Sequence, residues 1–326
     1  MGRDGQLDCA ICLGYAIGQI SAPILSPDAH PLGSALFVAT AFSITALPIL
    51  GRIMMEFDMT RTSIGVIAIS AAAINDVIGW LLLALITTLT VSQFDGPSFA
   101  WKVAMVLVFF AVSWLAVRPL MKRILHRCDA RSGELTHNLL GIVLAAIFVS
   151  AMTTYQLGIF AIFGGFMMGV LLHDEHAFVT TWRKRISPFV MVFFLPIFFT
   201  YTGLRTDIGG LDSLAAWCWC VLIVALATLG KFGGAYLAAR FARLSHNESK
   251  ILGVMMNTRA LMELIVINVG YDLGVISQQM FTILVIMAIF STVITSPLLR
   301  RWLPLIGIPV PVNSIPGPRT PYQQHG

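Results

Sequence analysis

Residues 40 to 48 read Thr-Ala-Phe-Ser-Ile-Thr-Ala-Leu-Pro and place hydroxyl groups and a proline at the centre of a long apolar run. Pro48 cannot donate a backbone hydrogen bond and clashes with the carbonyl one helical turn before it. A break at membrane depth would free carbonyl and hydroxyl oxygens, which is tolerated only where they line a cavity or coordinate an ion. The alternative interpretation is a simple proline kink, which is common in membrane helices.

The rest of the chain has the composition of a membrane protein. Of its 326 residues, 57% are hydrophobic and 11% are charged, which is too little polar surface to coat a water-soluble globule. Apolar stretches of about 18 or more residues recur, each long enough to cross a bilayer as a helix. They lack the period-two alternation of barrel strands, so we predict an all-α polytopic membrane protein with about ten transmembrane helices. The predicted spans are residues 9–25, 33–55, 63–90, 99–118, 136–154, 156–173, 187–204, 213–241, 249–270 and 279–300.

The distribution of basic residues predicts the orientation. Of the 21 Lys and Arg residues, Lys231 and Arg259 lie within spans, Lys102 and Arg205 fall on one side, and the other 17 fall on the opposite side. The positive-inside rule therefore predicts that both termini are cytoplasmic. Cytoplasmic loops also account for the net charge of +5, so no nucleic-acid partner is expected.

Four ionisable residues stand at positions where lipid is expected. They are Asp76 in the third span, Lys231 in the eighth, and Arg259 with Glu263 one helical turn apart in the ninth. A charge in the membrane is costly unless it is paired or faces water, so each is a functional candidate. A structural salt bridge between Asp76 and Lys231 is the alternative, although a buried pair stabilises little once desolvation is counted.

The polar residues Asn257 and Thr258 predict a second broken span. A broken second span precedes a third span with a central acid, and an eighth span with a central base precedes a broken ninth span. This order is mirrored, as in inverted repeats whose two discontinuous helices cross at the midplane. Asp76 would then offset the positive half-helix ends, and Lys231 the negative ends. We expect one polar site at which a single carboxylate carries either a proton or a cation. Its candidate ligands are Ser43, Thr45, Asn75 and Asp76.

No cofactor and no bound metal are predicted. The five cysteines include Cys9-x-x-Cys12 but no second ligand pair that would complete a zinc site. The stretch His173–His176 lies at a helix end beside basic residues, and we interpret it as an interfacial loop. No Gly-rich strand-to-helix segment follows residue 303, so no nucleotide-binding domain is expected there.

An ordered set of segments carries a family resemblance over roughly residues 9 to 303. The segments are Ser43-Ile44-Thr45-Ala46 with Pro48, Asn75-Asp76, Leu195-Pro196 to Gly203-Leu204-Arg205-Thr206-Asp207, Lys231, and Asn257-Thr258-Arg259 to Glu263-Leu264. In this order they resemble the cation/proton antiporter superfamily, in the branch of plant cation/H⁺ exchangers and bacterial potassium efflux systems.

The resemblance implies a mobile core bundle with crossed broken helices and a panel of helices that forms a homodimer. It also implies that Asp76 carries the ion and the proton, that Thr45 is a neighbouring ligand and that Lys231 is the partner base. Such proteins commonly have about twelve or thirteen helices, so residues 1–303 resemble their transmembrane domain without its opening helices. Residues 304–326 are predicted to be a disordered cytoplasmic tail.

The sequence leaves four functions open. The first is exchange of a monovalent cation, K⁺ or Na⁺, for protons in the cell membrane. The second is a passive cation channel on the same scaffold, although no filter-like repeat is visible. The third is an intramembrane hydrolase, which the absence of His-Glu-x-x-His, Gly-x-Ser-x-Gly and paired membrane aspartates disfavours, so no enzyme is expected. The fourth is a fragment that inserts without transporting.

The charge asymmetry predicts that the basic segment from Arg118 to Arg131 is cytoplasmic. Cys128 lies within this segment, so a membrane-impermeant thiol reagent added to intact cells should leave it unmodified and should label it after permeabilisation. Labelling of Cys128 in intact cells would contradict the predicted orientation.

Overall fold

The computed structural model describes residues 4–60, 62–91, 96–129, 136–158 and 161–308. Regular structure within these ranges is helical throughout, which confirms the predicted all-α class. The helices are α1 (Asp4–Leu25), α2 (Pro31–Ser43), α3 (Leu47–Glu56), α4 (Ser63–Val91), α5 (Gly96–Val112), α6 (Arg118–Asp129), α7 (His137–Gln156), α8 (Ala161–Leu172), α9 (His176–Phe189), α10 (Leu195–Arg205), α11 (Leu214–Phe241), α12 (His246–Met256), α13 (Ala260–Asp272) and α14 (Gln278–Trp302).

These helices make a polytopic membrane protein. Seven spans in the described residues are long and apolar enough to cross a bilayer, with α2 and α3 counted together. The pair α12 and α13, bent by 43° at its break, makes an eighth. Two shorter apolar helices, Ala10–Leu25 and Ala161–Leu172, occupy the positions of the first and sixth predicted spans.

Two spans are longer than the sequence predicted. The fourth continues through α5 and α6 to Asp129, and the seventh begins at His176, so the basic residues at 183–185 are helical. Each contains a π-helical segment, Ser113–Val117 and Val190–Phe194, and each segment is followed two residues later by a proline, Pro119 or Pro196. A wider π turn displaces the carbonyl that an interior proline would strike, so these prolines do not end the helix.

Within the part of the chain that the structure describes, buried apolar side chains form three clusters. The first joins α1, α2, α4, α11, α13 and α14 with Phe163 of α8, and the second joins α3, α4, α11, α12 and α14 near their other ends. The third joins α6, α7 and α8. Both spans with π segments run from the third cluster to the first, because α6 and α9 contact the third while α5 and α10 contact the first through Val106 and Phe198.

Small residues let α1 approach the broken second span closely. A Cβ atom added to Gly14 or Gly18 would stand 2.7 Å from the Cα of Ala39 or Ala35 in α2. Two such glycines four residues apart produce a flat helix surface, as in other close-packed membrane helices. The first half of the broken span is therefore held along the length of α1.

The stretch His173–His176 lies beside a basic surface. Arg118 and Lys122 contact the Asp174 carboxylate at 2.8 and 2.5 Å, and Lys122 contacts Glu175 at 3.3 Å. The hydrogen bonds from Lys122 and Arg118 hold the pKa of Asp174 well below its usual value. These contacts join the start of α6 to the turn between α8 and α9.

The start of the predicted disordered tail is ordered. Leu303–Ile306 form a short 3₁₀ helix, in which Leu303 is buried in the second apolar cluster and Ile306 packs against it. Burial of apolar side chains explains the difference from the compositional prediction. Residues 309–326 lie outside the described residues.

Candidate functional site

The second span breaks at the stretch that the hydroxyls and proline had indicated. The α2 helix ends at Ser43, Ile44 has an extended backbone with φ −70° and ψ 144°, and α3 begins at Leu47. Pro48 lies in the first turn of α3, where its missing N–H costs nothing. The span is therefore interrupted, and the simple proline kink is wrong.

The ninth span breaks after Met256. Asn257 and Thr258 are buried, and Arg259 has the irregular backbone angles φ −120° and ψ −78°. Ala260 has φ +43°, in the left-handed region that residues with a side chain seldom adopt. Such strain persists only where the surrounding contacts enforce it. The polar residues at 257 and 258 thus correctly indicated a break.

The two breaks hydrogen-bond to each other. The Ala46 N–H donates to the Thr258 carbonyl at 2.9 Å, and the Thr45 hydroxyl donates to the Met256 carbonyl at 3.1 Å. Asn75 in α4 donates to the Thr45 hydroxyl at 3.4 Å. Backbone groups that neither helix can satisfy are therefore satisfied across the crossing point, as lipid requires.

Two fully buried cations contact the C-terminal end of α2. Lys231 donates to the Ser43 carbonyl, and Arg259 donates to the carbonyls of Ala41 at 2.6 Å and Phe42 at 3.1 Å. These are carbonyls of the last turn, where the helix dipole is negative. The expectation for Lys231 came from the mirrored pattern. The same role for Arg259 was missed, although its place at a break was the available signal.

Arg259 also joins two further helices to the crossing. Its guanidinium donates to the Ala227 carbonyl of α11 at 3.2 Å, and its backbone N–H donates to the Thr292 hydroxyl at 3.3 Å. Its Nη1 lies 3.6 Å from a Glu263 carboxylate oxygen, and both side chains are fully buried. Glu263 balances the charge, but neither of its carboxylate oxygens has a hydrogen-bond partner in the described structure.

Asp76 faces the other half of the broken second span. The backbone N–H of Leu47, the first residue of α3, lies beside its carboxyl group. An acid at this position stabilises the positive N-terminal end of a helix. The Oδ1 atom of Asp76 is buried and has no hydrogen-bond partner within the described residues. The residue as a whole is partly exposed, unlike Lys231, Arg259 and Glu263.

Asp76 and Lys231 are close enough to attract each other electrostatically, but no contact between them is among the ion pairs of the described chain. The structural salt bridge between these residues, one alternative from the sequence, is therefore not formed. Lys231 donates to the Ser43 carbonyl of α2, and the Asp76 carboxyl lies beside the first amide of α3. Each charge neutralises a different half of the same broken helix.

The other candidate ligands differ in what they contact. Thr45 and Asn75 are buried and hydrogen-bonded at the crossing, beside Asp76 in the chain or in space. The Ser43 hydroxyl donates to the Thr40 carbonyl of its own helix at 2.8 Å, and its carbonyl accepts from Lys231. In the described ranges, no set of three His, Cys, Asp or Glu side chains could hold a metal ion.

Comparison with known proteins shows a family match over most of the chain. The family model for the transmembrane domain of sodium/hydrogen exchangers matches residues 7–303. The chain is 39% identical over 271 residues to the Na(+)/H(+) antiporter NhaS4 of Synechocystis, covering 83% of this chain and 65% of that protein. It is 39% identical over 268 residues to the Cation/H(+) antiporter 17 of Arabidopsis thaliana, covering 81% of this chain and 32% of that protein.

A yeast protein is more distant. The K(+)/H(+) antiporter 1 of Saccharomyces cerevisiae is 28% identical over 264 residues, covering 81% of this chain and 30% of that protein. The chain thus spans less than two thirds of the cyanobacterial relative and about a third of the plant and yeast relatives.

The buried pair predicts an unequal response to mutation. Replacing Arg259 with Met leaves Glu263 without its cation and three carbonyls without a donor, so the free energy of unfolding should fall by about 3–5 kcal/mol. Arg259→Met combined with Glu263→Gln should recover part of this loss, because the orphaned charge is also removed. The apparent melting temperature in detergent measures both.

Arg300→Met is the matched control for Arg259→Met. Arg300 contacts Glu56 at 3.3 Å, and their side chains are 42% and 49% exposed, so its loss should cost less than about 1 kcal/mol. A double variant less stable than Arg259→Met alone would contradict the proposed coupling of the two charges.

Proposed function

Because the chain belongs to the sodium/hydrogen exchanger transmembrane family, we propose that it exchanges a monovalent cation, K⁺ or Na⁺, for protons across a cell membrane. The names of the relatives support cation/proton exchange, since they are antiporters of Na⁺, K⁺ or unspecified cations with H⁺. One observation supports the mechanism above all: Asp76, a partly exposed residue whose buried Oδ1 atom has no hydrogen-bond partner in the described structure, lies at the crossing of two broken spans.

Asp76 is the exchange site in this proposal. Lys231 and Arg259 are committed to α2 carbonyls, and Glu263 is committed to Arg259. The Asp76 carboxylate has a helix N–H but no side-chain cation within contact distance in the described structure. It can therefore take its counter-charge from solution, as a proton or as a metal ion. Thr45 and Asn75 supply neighbouring oxygens, as hard alkali cations require.

The half-helix ends stay neutralised while Asp76 exchanges one ion for another. Lys231 and Arg259 neutralise the α2 end whether or not Asp76 is occupied, so the break does not need the transported ion for its stability. A proton and a monovalent cation each reduce the charge of Asp76 by the same amount. The membrane interior then has the same net charge in both loaded states, and one cation moves for each proton.

In this proposal, alternating access comes from the movement of a core against a panel of helices. The helices of the first and second apolar clusters hold the crossing and form the core, while α6, α7 and α8 with the third cluster form the panel. Movement of the core relative to the panel would expose Asp76 to each side in turn. We further propose that the protein acts as a homodimer with both termini in the cytoplasm.

The proposal predicts that Asp76→Asn abolishes exchange while the protein still folds and inserts. An amide cannot be ionised, so it can bind neither a proton nor a counter-ion in exchange for one. Proton movement driven by K⁺ or Na⁺ in everted vesicles measures the activity. Asp212→Asn removes an exposed acid outside the spans and should leave the rate unchanged. Full exchange by Asp76→Asn would remove the site assignment.

A second expectation concerns competition between the two ions. Lowering the pH should raise the apparent KM for the cation without lowering the maximal rate, because proton and cation occupy the same carboxylate. Exchange should also be independent of the membrane potential at zero pH gradient. A passive channel would instead give cation flux without proton coupling, and a rate that follows voltage would contradict the one-to-one stoichiometry.

A further inference from the structure

Arg205 is one of only two basic residues of the sequence on the side that is predicted to face outward. It ends α10, and its guanidinium lies 2.7 Å from the Asp272 carboxylate and 3.3 Å from the Asn268 side-chain oxygen, both on α13. The guanidinium also stacks over Tyr201, 4.1 Å from the ring centre. A single side chain therefore ties α10 to the second half of the broken ninth span.

A buried contact lies one turn below Arg205. Asn268 donates to the Thr202 hydroxyl at 2.9 Å and to the Leu264 carbonyl at the same distance. Thr202 is 2% exposed and Asn268 is 6% exposed. Gln278, the first residue of α14, donates to the Arg205 carbonyl. These polar contacts span the interface between α10 and the helices of the first apolar cluster.

Charge explains why Arg205 holds this position. Asp272 is the last residue of α13, where a carboxylate is repelled by the negative end of its own helix. A cation between the C-terminal ends of α10 and α13 offsets the negative dipole charge of both ends. The pair is only partly buried, with the side chains of Arg205 and Asp272 exposed by 25% and 41%, so water can replace it at low cost. It differs in this from the fully buried Arg259 and Glu263.

The helix that carries Arg205 is suited to moving at this end. Its other end packs into the third apolar cluster through Phe178 and Trp182 of α9. The π segment Val190–Phe194 separates the two ends, and irregular turns of this kind are common at functional sites. The α10 end can therefore swing away from α13 while the α9 end stays packed.

We propose that Arg205, Asp272, Asn268 and Thr202 form an outer latch that closes the approach to Asp76 from the predicted outer side and opens in each transport cycle. The latch acts on α13, the same helix that carries Glu263 and begins at the break beside Thr45. Opening would part α10 from α13 and leave Asp272 as an acid at the mouth of the approach. This inference rests on the proposed exchange function for its role, but not for its existence.

The first test measures opening without transport. A chain with its five cysteines replaced by alanine and with Thr202→Cys carries one buried thiol beneath the latch. Its reaction with a membrane-impermeant maleimide, added on the predicted outer side, should quicken about tenfold when Arg205→Ala is added. Lys102→Ala removes the other basic residue of that side and should change the rate less than about twofold. Equal rates for the two alanine variants would overturn the latch.

The second test holds the latch closed without removing a charge. Thr202→Cys with Asn268→Cys, joined by a short thiol-reversible bifunctional methanethiosulfonate, should lose at least about tenfold of its K⁺- or Na⁺-driven proton exchange and recover it with reductant. The matched control is Ser26→Cys with Ser277→Cys, because the Ser277 N–H donates to the Ser26 hydroxyl at 2.9 Å. This pair lies on the same predicted side but joins the ends of α1 and α14 within one cluster. Cross-linking of that pair should leave exchange unchanged.

The two tests separate the latch from the exchange function. If the cysteine-free parent exchanges neither K⁺ nor Na⁺ for protons, the exchange function fails, and the maleimide rates alone decide whether the latch exists. If the parent exchanges ions and the cross-linked Thr202–Asn268 pair does so at the same rate, the latch is overturned while the exchange function stands.

Discussion

The architecture depends on one constraint, that backbone groups at membrane depth must find partners inside the protein. Two spans interrupt their helices, and each interruption supplies what the other lacks: the Ala46 N–H meets the Thr258 carbonyl, and the Thr45 hydroxyl meets the Met256 carbonyl. Neither break is stable without the other in lipid. The crossing therefore determines where α2, α3, α12 and α13 lie, and the apolar clusters pack around it.

The crossing creates helix ends inside the membrane, and the buried charges follow from them. The last carbonyls of α2 attract Lys231 and Arg259, while the first amide of α3 attracts Asp76. Because both cations are held by carbonyls, Asp76 is left without a side-chain partner among the described residues. An acid that is attracted to a helix end, but not neutralised by it, is suited to binding a proton and a small cation in turn.

The polar contacts at the crossing differ in burial from those at the end of α10. The hydrogen-bonded residues of the crossing are buried, whereas the contact of Arg205 with α13 is partly exposed. The spans that connect the third apolar cluster to the first both contain a π segment, which ends two residues before a proline. In the proposed mechanism, the elements around the site stay rigid, and the spans with π segments adjust at the boundary between core and panel.

The sequence by itself determined the membrane class, the sites of both breaks and the ionisable residues, because Pro48, Asn257, Asp76 and Lys231 are costly in lipid wherever their helices pack. It did not determine partners. That Arg259 holds α2 and α11, that Lys231 contacts Ser43 and not Asp76, and that Arg205 reaches Asp272 depend on contacts between residues far apart in the chain. Local sequence predicts which polar groups must be satisfied, but only the tertiary structure decides which groups satisfy them, since that choice depends on distances between helices.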